Sequence, residues 1–175
     1  MNTEDKLSVL FTGAEIQTEV KKLAGEITRA YAGKNPLLIC VLKGSFIFTA
    51  DLVRYLDFPL EIDFIRLSSY GSGQESSGKI KIRQDISVSV TDRDILVVED
   101  IIDSGITVAF LLNHLKAKNP AAIRFCCLLD KPSRRKIPVT IDYRGVTVPD
   151  KFLVGYGLDW DEKYRNLPGV YYLEK

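Results

Sequence analysis

Three carboxylates crowd into residues 99–103 of the stretch 94–107, Asp-Ile-Leu-Val-Val-Glu-Asp-Ile-Ile-Asp-Ser-Gly-Ile-Thr. Glu99 and Asp100 are adjacent, and Asp103 opens the sequence Asp-Ser-Gly-Ile-Thr. Ser104, Gly105 and Thr107 form a small polar loop before a helix start. Such a loop offers backbone N–H groups, hydroxyls and a positive dipole end to an anion. Carboxylates beside it repel that anion unless they grip something else, such as hydroxyls or a metal. A plainer alternative is that Asp103 caps the helix and Glu99-Asp100 is a solvated strand end. A cap needs one carboxylate, though, and three are present. The loop is not a Walker A loop, because the Gly-Lys-[Ser/Thr] ending is missing.

Two further loops carry charge. Lys43-Gly44-Ser45 interrupts an apolar run, where glycine permits close backbone approach and Lys43 supplies a cation. An ordinary turn with an exposed lysine is the alternative. Lys131, in Asp130-Lys131-Pro132, ends another apolar run. A strand's C-terminal end lies near the crevice where open α/β sheets bind ligands. The basic residues 133–136 read as a solvated loop. His114 sits at the flank of a helix with no evident partner.

The elements that position these residues follow from hydrophobic period. Thr12-Gly-Ala-Glu15 is a capping-box pattern, and Ile16, Val20, Leu23, Ala24, Ile27 and Tyr31 follow at helical spacing, with Gly33 as a stop. Residues 36–42, 95–98 and 122–129 are apolar runs too short for helices and read as buried parallel strands. Phe48, Leu52, Tyr55 and Leu56 predict a helix after the Lys43 loop. Val108, Leu111, Leu112 and Leu115 predict another after Gly105. Residues 60–67 and 80–82 alternate as strands, joined by the aperiodic residues 68–79; a connection this long suggests a mobile flap rather than a tight hairpin. Residues 146–148 predict a short strand and 170–173 a final edge strand.

The pattern implies an α/β fold, a mainly parallel sheet flanked by helices. The chain has 175 residues, 46% hydrophobic and 27% charged, with a formal net charge of +1. That suits one domain with a real core and gives no broad electrostatic case for nucleic acid or an anionic membrane. No apolar run is long enough to span a bilayer, and the first residues lack the form of a signal peptide. Cys40, Cys126 and Cys127 lie in apolar runs as small hydrophobes, without metal spacing, which points to a reducing cytoplasm.

Val-Val-Glu-Asp-Ile-Ile-Asp-Ser-Gly-Ile-Thr resembles the phosphoribosyl pyrophosphate (PRPP) signature of type I phosphoribosyltransferases, in detail that of the hypoxanthine-guanine phosphoribosyltransferase family. The resemblance runs from about Lys43 to Arg165, with the motifs in family order. It implies purine salvage: transfer of the 5-phosphoribosyl group from PRPP to hypoxanthine or guanine, releasing pyrophosphate and giving IMP or GMP. It implies a core over about 34–148 and a small hood over about 1–12 and 149–175. By resemblance, Asp103 is the general base at purine N7, and Asp103, Ser104, Gly105, Ile106 and Thr107 form the 5′-phosphate loop. Ile106 stands where some relatives carry Lys, so its contact is backbone only. Glu99 and Asp100 take the ribose hydroxyls or Mg²⁺, and Asp159 joins a second Mg²⁺ through water and lies near the base. Lys43, Gly44 and Arg165 serve pyrophosphate, with a bond at Leu42–Lys43 that can be cis. Lys131, Phe152, Leu153 and Asp159 make the purine site. Ser68, Ser69 and Tyr70 belong to a flap that closes over the site. The partners implied are PRPP, a 6-oxopurine and a second copy in a homodimer or homotetramer, without nucleic acid or membrane. The rivals are the same fold acting on xanthine, adenine or orotate, and a PRPP-fold regulator that binds RNA or a nucleotide. A PRPP-fold synthetase is disfavoured because nothing resembles an ATP site.

Overall fold

The computed structural model describes residues 6–69 and 80–174. Its central strands are the apolar runs of the sequence. Leu37–Leu42 (β2) lies parallel to Asp94–Ile102 (β5) on one side and to Glu61–Ser69 (β3) on the other. Ala122–Asp130 (β6) and Tyr143–Thr147 (β7) extend the sheet in parallel beyond β5. Ile80–Gln84 (β4) closes the other edge, antiparallel to β3, so the order is β4-β3-β2-β5-β6-β7.

Alternation along the strands feeds two cores. Leu38, Leu96, Val98, Cys126 and Leu128 face one side, where they meet Ile16, Val20, Leu23 and Ile27 of Gly13–Ala30 (α1) and Phe48 and Leu52 of Phe46–Val53 (α2). Their neighbours Leu37, Ile39, Ile95, Val97 and Cys127 face the other side, against Val108, Leu111 and Leu115 of Ile106–Lys116 (α3). Successive strand side chains point to opposite faces, so a strand covered on both faces must be apolar throughout. The capping box opens α1 as expected: the Glu15 N–H donates to Thr12 Oγ1 at 3.3 Å, and the Thr12 N–H donates to the Glu15 carboxylate at 2.8 Å.

A second sheet, order β1-β9-β8, joins the chain ends: Leu7–Phe11 (β1), Val170–Leu173 (β9) and Leu153–Val154 (β8), all antiparallel. Two local readings change here. The segment 170–173 is the central strand of this sheet, not an edge, because β1 pairs with it across almost the whole chain. Helix α2 stops at Val53, leaving Tyr55 and Leu56 in the turn that follows. Among the described residues, no helix is long and apolar enough to cross a membrane.

Candidate active site

Strand β5 does not end where its apolar run ends. Ile101 and Ile102 still pair with Leu129 and Asp130 of β6, so Glu99 and Asp100 lie within the strand and not in a turn after it. Glu99 is only 5% exposed. Burial, then the neighbouring Asp100 and Asp103, push its carboxyl well above the usual range. Burial also lifts Asp100, to about 6, partly offset by the Ile101 N–H that donates to its carboxylate at 2.9 Å. These groups are not a solvated strand end. Desolvation and like charge both favour their neutral forms, a state that a nearby cation or hydroxyl donors would reverse.

The loop after β5 is set by Gly105, which precedes α3 with φ +80° and no side-chain cap. A Cβ there would meet Ile137 O at 2.4 Å and sit in a backbone region that side chains disfavour. The alternative in which Asp103 caps the helix therefore fails: its exposed carboxylate accepts from the adjacent Ser104 N–H instead. Ser104 Oγ accepts from the Ile106 N–H at 3.4 Å.

The Lys43 loop meets this acidic strand directly. The Leu42–Lys43 peptide is cis. Gly44 is wedged between two neighbours: a Cβ on it would lie 1.7 Å from Asp100 Oδ2, and a Cβ on Gly157 would lie 2.0 Å from the Gly44 carbonyl oxygen. A cavity of roughly 260 Å³ opens beside this contact, lined by Gly44, Ser68, Glu99, Asp100 and Thr107 among others. Ser69 pairs with Ile80 in the β3–β4 ladder. Tyr70 and the remainder of the expected flap lie outside the described residues.

Two cations reach the same place from different segments. Lys43 Nζ lies 2.9 Å from the Glu162 carboxylate, and Arg165 Nη2 lies 3.1 Å from its other oxygen. Arg165 also pairs with Asp159 at 2.8 Å and donates to the Gly157 carbonyl at 2.7 Å. Glu162 was not singled out from the sequence; the only local signal was a carboxylate three positions before Arg165. Its role here is informative, because two cations that converge on one carboxylate make a pocket for an anion.

Lys131 is 7% exposed and donates from Nζ to the Lys151 carbonyl at 2.6 Å. Burial lowers its pKa from the ordinary lysine value. That bond brings it to the base of β8, beside Phe152, which is 47% exposed and packs edge-on against Trp160 with centroids 4.8 Å apart. Phe152 bonds to β9 through its carbonyl, so the alternation of the ladder turns the main chain of Leu153 toward the open edge of β8.

Oxygen donors at Glu99 and Asp100, desolvated and mutually repelling, fit a hard divalent cation. Asp159 lies close enough to Asp100 to raise its pKa, but its carboxylate is engaged by Arg165. Among the described residues, no three metal-ligating side chains are gathered at one point, so a cation there would need substrate oxygens or water to complete its shell.

Two sequence readings are corrected. In the loop 133–136, Ser133, Arg134 and Lys136 are exposed as a solvated loop requires, but Arg135 is not: it donates from Nε to the Asp103 carbonyl at 2.7 Å and pairs with the buried Asp130 carboxylate. His114 is not alone: its Nε2 lies 2.9 Å from Asp85, and its ring stacks on Phe110.

A mainly parallel sheet whose strand β5 carries desolvated acids into a glycine turn, with Lys43 and Arg165 converging on Glu162 from other segments, defines a class. Residues 9–161 match the phosphoribosyl transferase domain, and the chain belongs to that family. The similarity is close to hypoxanthine-guanine phosphoribosyltransferases in particular. That of Bacillus subtilis is 48% identical over 97% of this chain and 94% of the relative. That of Streptococcus thermophilus is 44% identical over the same shares. The crystal structure of a hypoxanthine-guanine phosphoribosyltransferase from Bacillus anthracis, 48% identical, superposes with a TM-score of 0.92 over 98% of this chain and all of that one.

Proposed function

We propose that this chain transfers the 5-phosphoribosyl group of PRPP to hypoxanthine or guanine, giving IMP or GMP and pyrophosphate. The observation that carries this reading is the close stacking of Gly157, Gly44 and Asp100 beside a cavity lined by Glu99, Asp100 and Thr107.

Loss of pyrophosphate leaves a ribose with oxocarbenium character. The chain's groups are disposed for each part of that event. Backbone N–H groups of 104–107, with the hydroxyls of Ser104 and Thr107, hold the 5′-phosphate at the start of α3; Ile106 contributes main chain only. Glu99 and Asp100 grip the ribose hydroxyls. Lys43 and Arg165 exchange Glu162 for the pyrophosphate, with Gly44 giving it backbone access. Phe152 stacks on the purine, Leu153 meets its edge through the main chain, and Lys131 donates to O6. Asp103, exposed between the phosphate loop and Lys131, takes the proton from N7. Glu99, Asp100 and, through water, Asp159 would hold Mg²⁺, which would supply positive charge beside the ribose hydroxyls and the leaving pyrophosphate. Ser68, Ser69 and Tyr70 belong to the flap that covers the reacting centre.

The chain acts as one domain, with a core over about 34–148 and a hood from about 1–12 and 149–175. Ile62 and Phe64, exposed on one face of β3, support assembly into a homodimer or homotetramer. The buried free cysteines Cys40, Cys126 and Cys127 suit a cytoplasmic setting.

Pyrophosphate release, measured with PRPP, Mg²⁺ and each common nucleobase in turn, tests the reading. Turnover is expected with hypoxanthine and guanine and is expected to vanish in EDTA; undiminished rates in metal-free buffer would remove the metal from the scheme. Gly44→Ala gives a second check. The new methyl cannot coexist with the Asp100 carboxylate in its present place. Displacing a reacting group by about 1 Å lowers rate by about 10²-fold, so kcat/KM for PRPP is expected to fall by about that factor. An unchanged value would mean that Asp100 is not needed where it stands.

A further inference from the structure

A loop that aims its N–H groups at a phosphate must turn its carbonyls the other way, and buried carbonyls need donors. Here three consecutive carbonyls, those of Ile102, Asp103 and Ser104, are all satisfied by one short segment, 131–137. Ile102 O accepts from the Lys131 N–H at 2.9 Å and from Arg135 Nη2 at 3.3 Å. Asp103 O accepts from Arg135 Nε at 2.7 Å. Ser104 O accepts from the N–H groups of Lys136 and Ile137, both at 3.0 Å. The guanidinium is fixed in turn by Asp130, which is 2% exposed and whose second oxygen lies 3.3 Å from Arg144. The stem of Arg135 also fills the space beside Gly105, its Cδ 3.1 Å from where a Cβ would stand.

We infer that Arg135, braced by Asp130, is a positioning residue that holds the main chain of the phosphate loop and the base Asp103 in register with the purine reader Lys131. This rests on the phosphoribosyl-transfer reading above. Arg135 touches neither substrate. It acts by fixing the peptide planes at Ile102–Asp103 and Asp103–Ser104. The first bears the carbonyl bonded by Nη2 and the second the carbonyl bonded by Nε, and the Ser104 N–H lies in the second plane. A planar guanidinium with donors in a fixed fork can serve two adjacent carbonyls and a carboxylate together, which an ammonium cannot. The segment 130–137 thereby couples the two half-sites: one end carries the group that reads the base, and the other holds the loop that binds the phosphate.

The test compares wild type, Arg135→Met, Arg135→Lys and Arg135→Ala. Calorimetric Kd for PRPP, kcat and KM for hypoxanthine, and thermal midpoints are measured for each. Hydrogen bonds to a charged donor set the scale, so Arg135→Met is expected to weaken PRPP binding and lower kcat by about 10–100-fold each. KM for hypoxanthine is expected to stay within about threefold, because Lys131 keeps its bond to Lys151. Arg135→Lys recovers only part of the loss. Guanidinium chloride at tens of millimolar, far below denaturing concentration, restores turnover to Arg135→Ala, an effect that a general loss of folding would not show. PRPP affinity and kcat within twofold of wild type in Arg135→Met would overturn the inference. So would losses that track the thermal midpoint in every variant without rescue by guanidinium. If wild type itself releases no pyrophosphate from PRPP, the functional reading fails first, and the two failures are told apart by that control.

Discussion

Asp103→Asn is expected to lower kcat by about 10²–10⁴-fold, the range for removal of a positioned general base, while PRPP binding is largely kept. The substitution is well matched to its site. The Asp103 carboxylate accepts from the Ser104 N–H, and an asparagine carbonyl can accept the same bond, so the loop keeps its shape. What the amide cannot do is take a proton from N7. The cap role is already occupied by Gly105, which has no side chain to offer, so a large loss of rate could not be assigned to a weakened helix. Steady-state kinetics with saturating PRPP and hypoxanthine measures it. A kcat within a few-fold of wild type would leave proton transfer to another group. Loss of PRPP affinity instead would make Asp103 a binding residue.

The architecture was readable wherever a strand carries its own instructions. Leu38 and Ile39, one residue apart, go to opposite cores, and only a strand apolar at every position can do that. The same logic hid the end of β5. Glu99 and Asp100 look like a turn because they are charged, yet pairing with β6 carries the strand past them. Strand β1 has no signal strong enough to be seen alone, since its partner β9 lies at the other end of the sequence. That is why 170–173 read as an edge.

The candidate site divides along the same line. The acids, the glycine loops and Lys131 stand in short contiguous motifs, so residue type and spacing exposed them. Glu162 and Arg135 were not visible in this way. Glu162 joins Lys43 across 119 residues, and Arg135 joins Asp103 across 32. A charged side chain reads as solvated until the fold brings it a partner from a distant segment. His114 shows the same effect, because its carboxylate, Asp85, comes from a segment 29 residues earlier.

Wild type is expected to turn over hypoxanthine and guanine with little or no turnover of adenine, and Lys131→Ala is expected to lose that preference while retaining most of its PRPP affinity. An ammonium group has three donors and no acceptor. One donor is committed to the Lys151 carbonyl at 2.6 Å, which fixes the side chain beside Phe152 and leaves two to meet a base. An oxo group at C6 accepts from them; the amino group of adenine presents another donor. Leaving buried donors without acceptors costs about 1–3 kcal/mol, or roughly 5–150-fold, and a site built around an oxygen can discriminate more strongly. Phe152 stacks without regard to the substituent, so truncating Lys131 removes the discrimination and not the whole base site. The pH profile adds a signature. Burial lowers the Lys131 pKa, so as pH rises the ammonium loses its proton below the ordinary lysine value, and the oxopurine-to-adenine ratio of kcat/KM falls on that alkaline limb. Using the ratio at each pH removes effects common to both substrates, and Lys131→Ala should flatten it. Comparable kcat/KM for adenine and hypoxanthine in wild type would rule out Lys131 as the reader of the C6 oxygen.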